Sequence, residues 1–160
     1  MVTAPQTDTR DELAPRLRLA VTRTARRLRQ EAGSELGPSG TAALATIERH
    51  GPLGPSELAR LERMAKPTVT RIVSRLEEAG LIERARDPLD GRCSILSVTA
   101  AGSELLRELR ARKTAYFARR LSELDDEEVA ALERAAEALE RMLELDHPTA
   151  ELRARAGGPA

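Results

Sequence analysis

Residues 68–98 read TVTRIVSRLEEAGLIERARDPLDGRCSILSV, and two periodicities meet inside them. In the first half, Val69, Ile72, Val73 and Leu76 fall at i, i+3, i+4 and i+7, one apolar stripe along a helix. At about 100° per residue, Thr68, Arg71, Ser74 and Arg75 project from the other side. Gly80 is a natural helix stop. Beyond it the period changes. Leu81-Ile82-Glu83 and Ser94-Ile95-Leu96-Ser97-Val98 read as two short strands. The polar loop Arg86 to Arg92 joins them, with Asp87-Pro88 and Gly91 supplying its turn chemistry.

Working outward, Ser56 is a natural N-cap for a helix over ELARLERM. A turn around Ala65-Lys66 follows, and Pro67 suits the first turn of the helix that carries the stripe. A short helix, a tight turn and a second helix with an arginine, serine and threonine face form the arrangement that enters a DNA major groove. Arginine can bond guanine O6 and N7 together, while threonine and serine reach phosphates or base edges. Taken alone, the same helix is also an amphipathic helix with a solvated face. The hairpin behind it makes the unit a winged helix–turn–helix, whose loop can reach an adjacent minor groove. A narrow minor groove concentrates negative potential and draws arginine, which is the role read for Arg92. Asp90 can orient that guanidinium through a charge-assisted hydrogen bond. The plainer reading of the loop is a surface hairpin with a local Asp–Arg pair.

Residues 1–8 read as a disordered tail. Thr9 to Glu12 has capping-box spacing, and Leu13, Leu17, Val21, Thr24 and Leu28 then recur at helical intervals to about Gln30. EAGSELGPSG breaks this helix, and Ser39 opens a second one with Ala43, Leu44 and Ile47 inward. After the hairpin, Thr99 caps a long helix to about Leu121, and Asp125 to Glu128 is a second capping box opening a last helix to about Leu145. In that helix Val129, Leu132, Ala136, Leu139 and Leu143 keep a 3, 4, 3, 4 spacing, a seam suited to another helix. Packing within one chain is the alternative. A winged domain by itself cannot cover three long amphipathic helices, so a homodimer is favoured. The expected organisation is a tail at 1–8, an N-terminal dimerisation helix at 9–33, a winged domain at 39–98, C-terminal dimerisation helices at 99–147 and a disordered tail at 148–160. The fold class is mainly α with a small β-hairpin wing.

Composition narrows the function. The 160 residues carry 26 basic and 26 acidic side chains, but the balance hides an asymmetry. Between residues 60 and 75 stand Arg60, Arg63, Lys66, Arg71 and Arg75 against Glu62 alone, whereas residues 123–146 hold ten acids and two arginines. That pattern suggests a basic face for a polyanion and an acidic region kept away from it, the alternative being that both are ordinary solvated helix faces. Tyr116 and Phe117 are the only aromatics, so the core must come from Leu, Val, Ile and Ala. No span fits a membrane, no secretion signal opens the chain, and a single cysteine, Cys93, suits a reducing cytoplasm. His50 and His147 lie far apart, so no metal set is expected, nor any cofactor. No nucleophile has a histidine at plausible spacing and no phosphate loop occurs, so no enzyme is expected. Two rival readings remain. The winged domain of a helical dimer can bind a protein partner, and Cys93 beside Arg92 can act as a redox-sensing thiol.

Ser56 to Gly102 resembles the winged core of the MarR (multiple antibiotic resistance regulator) family. The resemblance is carried by Ser56-Glu57-Leu58-Ala59, by Thr70 to Arg84, by Asp87 to Arg92, and by Leu96 to Gly102, with Val98 where the family favours Leu. It implies a dimeric DNA-binding transcriptional regulator whose first, fifth and sixth helices interlock with a partner's, bringing Leu13 and Leu17 into that interface. By resemblance, Thr68, Thr70, Arg71, Ser74 and Arg75 face the major groove of a pseudo-palindromic operator. Ser56 and Lys66 lie near phosphate, Arg84 and Arg86 contact the backbone, and Arg92 with Asp90 serves the minor groove. The family default is repression, relieved by a small aromatic or phenolic effector bound between the dimer helices and the winged domain. Arg16, Arg18, Arg23, His50 and Tyr116 are polar groups available for it.

Overall fold

The computed structural model describes residues 9–86 and 93–145. Among them are six helices and one hairpin, in the order α1 (Thr9–Ala32), α2 (Gly37–His50), α3 (Pro55–Leu61), α4 (Lys66–Glu78), β1 (Ile82–Arg86), β2 (Ser94–Val98), α5 (Ala100–Leu121) and α6 (Asp126–Leu145). The mainly α, winged helix–turn–helix class expected from the sequence is the one observed.

Helix starts follow local chemistry with two shifts. α3 begins one residue before Ser56, because Pro55 takes the first position, where its missing N–H costs nothing. Gly54 is the N-cap, and Ser56 lies in the first turn rather than capping it. α2 likewise starts at Gly37, two residues before Ser39, with Pro38 in its first turn. The two later caps form as expected. Thr99 Oγ1 accepts from the Gly102 N–H at 3.1 Å. At α6, Asp125 Oδ1 accepts from the Glu128 N–H at 2.8 Å while Glu128 Oε2 accepts from the Asp125 N–H at 3.2 Å, a reciprocal capping box.

α3 and α4 both close on a residue in the left-handed conformation. Past α3, the Met64 N–H donates to Ala59 O at 3.0 Å and the Arg63 N–H to Arg60 O at 3.3 Å. Past α4, the Leu81 N–H donates to Leu76 O and the Gly80 N–H to Glu77 O, both at 2.9 Å. These are the two bonds of a Schellman motif.

β1 and β2 pair antiparallel, with Ile82 opposite Val98 and Arg84 opposite Leu96. Leu53 bridges the other side of β2, exchanging both backbone hydrogen bonds with Leu96. The hairpin is thereby anchored to the segment between α2 and α3.

The described residues divide into two compact units, the boundary falling between Tyr116 and Phe117. The core of the first gathers Leu44, Ile47, Leu58, Val73, Leu76 and Leu96, all fully buried, with Val69, Ile72, Ile82 and Leu106 around them. Every side chain of the predicted α4 stripe is therefore in the core, which fixes the opposite face outward. In the second unit, Val129, Leu132, Met142 and Leu143 of α6 are exposed, Leu143 at 64 %.

Candidate nucleic-acid interface

The outward face of α4 carries Thr70, Arg71 and Arg75, all exposed, with Lys66 exposed at the first position of the helix. Thr68 and Ser74 are half-buried along its margins. The Thr70 hydroxyl donates to the Lys66 carbonyl at 3.0 Å, so its one O–H is used within the helix and its oxygen can act only as an acceptor. Arg71 and Arg75 on the outward face, and Lys66 at the helix start, are cations with no carboxylate partner among the described residues. Ser56 is exposed in the first turn of α3, and Arg60 on the same helix is engaged by Glu57 at 3.4 Å.

At the base of the hairpin, Arg84 turns toward the end of α4. Its Nε lies 3.4 Å from both Glu77 oxygens, and one terminal nitrogen lies 3.3 Å from Glu77 Oε2. The other donates to Ser94 Oγ on β2 at 3.3 Å. Arg84 thus ties three elements together, whereas the sequence suggested only a backbone contact to DNA. Arg86 is exposed at the end of β1. Asp90, Arg92 and the rest of the loop from 87 to 92 lie outside the described residues, as do both tails and His147. Cys93 is exposed.

A second feature sits between α1, α2 and α5. An open cavity of about 650 Å³ is lined by Arg26, Arg29, Gln30, Ser34, Thr41 and Lys113 with apolar flanks from Pro38 and Leu109. The three cations are without an ion-pair partner among the described residues, and no carboxylate lines the space. Arg16, Arg18, Arg23, His50 and Tyr116 are absent from its lining. Tyr116 instead lies under the Arg27 guanidinium, 5.9 Å from ring centroid to Cζ. Of the expected interface residues, Leu13 is 51 % exposed and Leu17 half-buried on α1, while Val129, Leu132, Ala136 and Leu143 are exposed and Leu139 half-buried on α6.

A helix–turn–helix with a cationic second helix, backed by an antiparallel hairpin, defines a winged helix–turn–helix regulator. The MarR family model matches residues 38–94. The chain is 36 % identical over 131 residues to the HTH-type transcriptional regulator Mb0904 of Mycobacterium bovis, a match spanning 81 % of this chain and 92 % of that one. It is 35 % identical to the HTH-type transcriptional repressor MdtR of Bacillus subtilis over 65 % of this chain and 72 % of the repressor. Among solved structures, a MarR family protein from Bacillus stearothermophilus superposes with a TM-score of 0.71 at 25 % identity, covering 88 % of this chain and 99 % of that protein. The chain belongs to the MarR family of transcriptional regulators, not to an enzyme family.

Proposed function

We infer that the protein is a dimeric repressor that binds a pseudo-palindromic DNA operator and leaves it when a small anionic effector binds. The face of α4 carries this reading. Its apolar stripe is wholly buried, so Thr70, Arg71 and Arg75 are held outward together, with Lys66 exposed at the helix start, and none of the three cations is paired to an acid among the described residues. Arg71 and Arg75 read base edges, Thr68 and Ser74 support them, Lys66 and Ser56 hold phosphate, and Arg86 extends the contact along the hairpin. Arg92, oriented by Asp90, enters the minor groove. The similarity to a named repressor, MdtR, favours repression over activation.

Dimerisation is supported by the apolar side chains that a single chain leaves uncovered, Leu13 on α1 and Val129, Leu132 and Leu143 on α6, with Leu17, Ala136 and Leu139 completing the two seams. A two-fold axis then sets two recognition helices about one DNA turn apart. Effector control is supported by the cavity between α1, α2 and α5. Its uncommitted Arg26, Arg29 and Lys113 favour a carboxylate or phosphate over a neutral compound, and its lining holds no aromatic ring to stack on a phenol. A DNA-bound regulator works in the cytoplasm, and among the described residues no helix is long and apolar enough to cross a membrane. Selection of bound fragments from a genomic DNA library tests the reading. It should return an inverted repeat; recovery of random fragments only would refute operator recognition.

A further inference from the structure

The turn between α3 and α4 contains an arginine where the same motif elsewhere in the chain contains glycine. At the end of α4 the residue in the left-handed conformation is Gly80, with φ +68°; at the end of α3 it is Arg63, with φ +52°. The remaining positive-φ residues described, Gly33, Gly37 and Gly51, are glycines as well. The backbone hydrogen bonds of the two helix ends correspond one for one, so the local demand on the residue is the same. An L side chain in this region brings its Cβ against the carbonyl oxygen, and glycine is the residue that avoids the strain.

Nothing described within the chain compensates Arg63. Its side chain is exposed and forms no ion pair among the described residues. The adjacent carboxylate of Glu62 is taken by the Thr46 hydroxyl on α2. The strained residue therefore presents an unneutralised guanidinium three positions before Lys66, at the N-terminal edge of the recognition helix. Strain of this kind is kept where the side chain has work to do.

We propose that Arg63 is a phosphate-binding residue, gripping the DNA backbone that borders the groove entered by α4, and that the turn is kept less stable than it could be for the sake of that contact. The inference rests on the DNA-binding reading above and adds to it a residue outside both α4 and the hairpin.

The test compares the full-length wild type with Arg63→Gly, Arg63→Asn and Arg63→Lys, each measured for thermal midpoint and for binding to a duplex of selected operator sequence over a range of salt. Arg63→Gly should melt a few degrees higher, because glycine relieves the turn. It should nevertheless bind about three- to tenfold more weakly, with a salt dependence shallower by about 0.9 in log–log slope, the loss of one phosphate contact. Arg63→Asn, also tolerated at positive φ, should share the affinity loss. Arg63→Lys should keep the wild-type slope without the gain in midpoint. Wild-type affinity and slope in the Gly and Asn variants, or a Gly variant no more stable than the wild type, overturns the proposal. A wild type that shows no duplex binding at any salt overturns the DNA reading and this proposal with it, a result visible before any variant is compared.

Discussion

The Arg84 guanidinium lies 3.3 Å from the Glu77 carboxylate, and this contact joins the last turn of the recognition helix to the first strand of the hairpin. Both side chains are more than a third exposed, so the pair contributes little to stability, roughly 0–1 kcal/mol. Its consequence is orientation. If α4 and the hairpin enter neighbouring grooves, as proposed, the two must keep a fixed angle, and Arg84 links them through Glu77 on one side and Ser94 on the other.

Glu77→Gln distinguishes orientation from charge. If Glu77 were only an acid near DNA, its removal would tighten binding. With the pair acting as a brace, operator affinity should fall several-fold while the thermal midpoint barely moves. Anisotropy titrations with operator duplex read the sign directly, and tighter operator binding would discard the brace.

Gly102 marks a second close junction. A Cβ on it would stand 2.2 Å from the Leu81 carbonyl oxygen and 2.8 Å from Val98 Cγ2. That carbonyl already accepts from the Thr99 N–H at 3.0 Å, and the Thr99 hydroxyl donates to Gly80 O at 2.7 Å. Since backbone would have to move, Gly102→Ala should destabilise by roughly 1–3 kcal/mol, measurable in urea denaturation. Wild-type stability would show that the start of α5 yields easily.

The cation-lined cavity predicts effector chemistry. A mixture of small carboxylates and phosphate esters should contain a member that raises the thermal midpoint, and Arg29→Gln with Lys113→Gln should abolish that rise. The same compound should release the protein from operator DNA. Stabilisation by neutral phenols alone, unaffected by the two substitutions, would contradict an anion site.

Leu132 and Leu143, about three turns apart on one side of α6, are 48 % and 64 % exposed in one chain. Leu132→Asp should shift the protein from dimer to monomer in sedimentation velocity, as should Leu139→Asp. A variant still dimeric would place the interface elsewhere.

The parts legible in the sequence were those governed by periodicity and caps. The Val69, Ile72, Val73, Leu76 stripe named the buried face of α4 and so its exposed one, because helical spacing leaves no other choice. The Thr99 and Asp125 caps could be read because their side chains bond backbone only three residues away. Ser56 misled because proline at the first helical position moved the cap to Gly54. Contacts across a junction left no local signal: Glu77 and Arg84 are seven residues apart on different elements, and the cavity gathers side chains from three helices. Arg63 was visible as a charge, but its left-handed backbone shows only in the bonds that close α3.

The most direct measurement is binding of the selected operator and of an unrelated duplex by wild type and by an Arg71→Ala, Arg75→Ala double variant, titrated from dilute to physiological salt. A cationic α4 face reading base edges predicts steep salt dependence for the wild type, a large preference for the operator, and loss of most of that preference in the variant, about 1–3 kcal/mol per base contact removed. An unchanged preference in the variant, or a wild type that ignores both duplexes even in dilute salt, would contradict it.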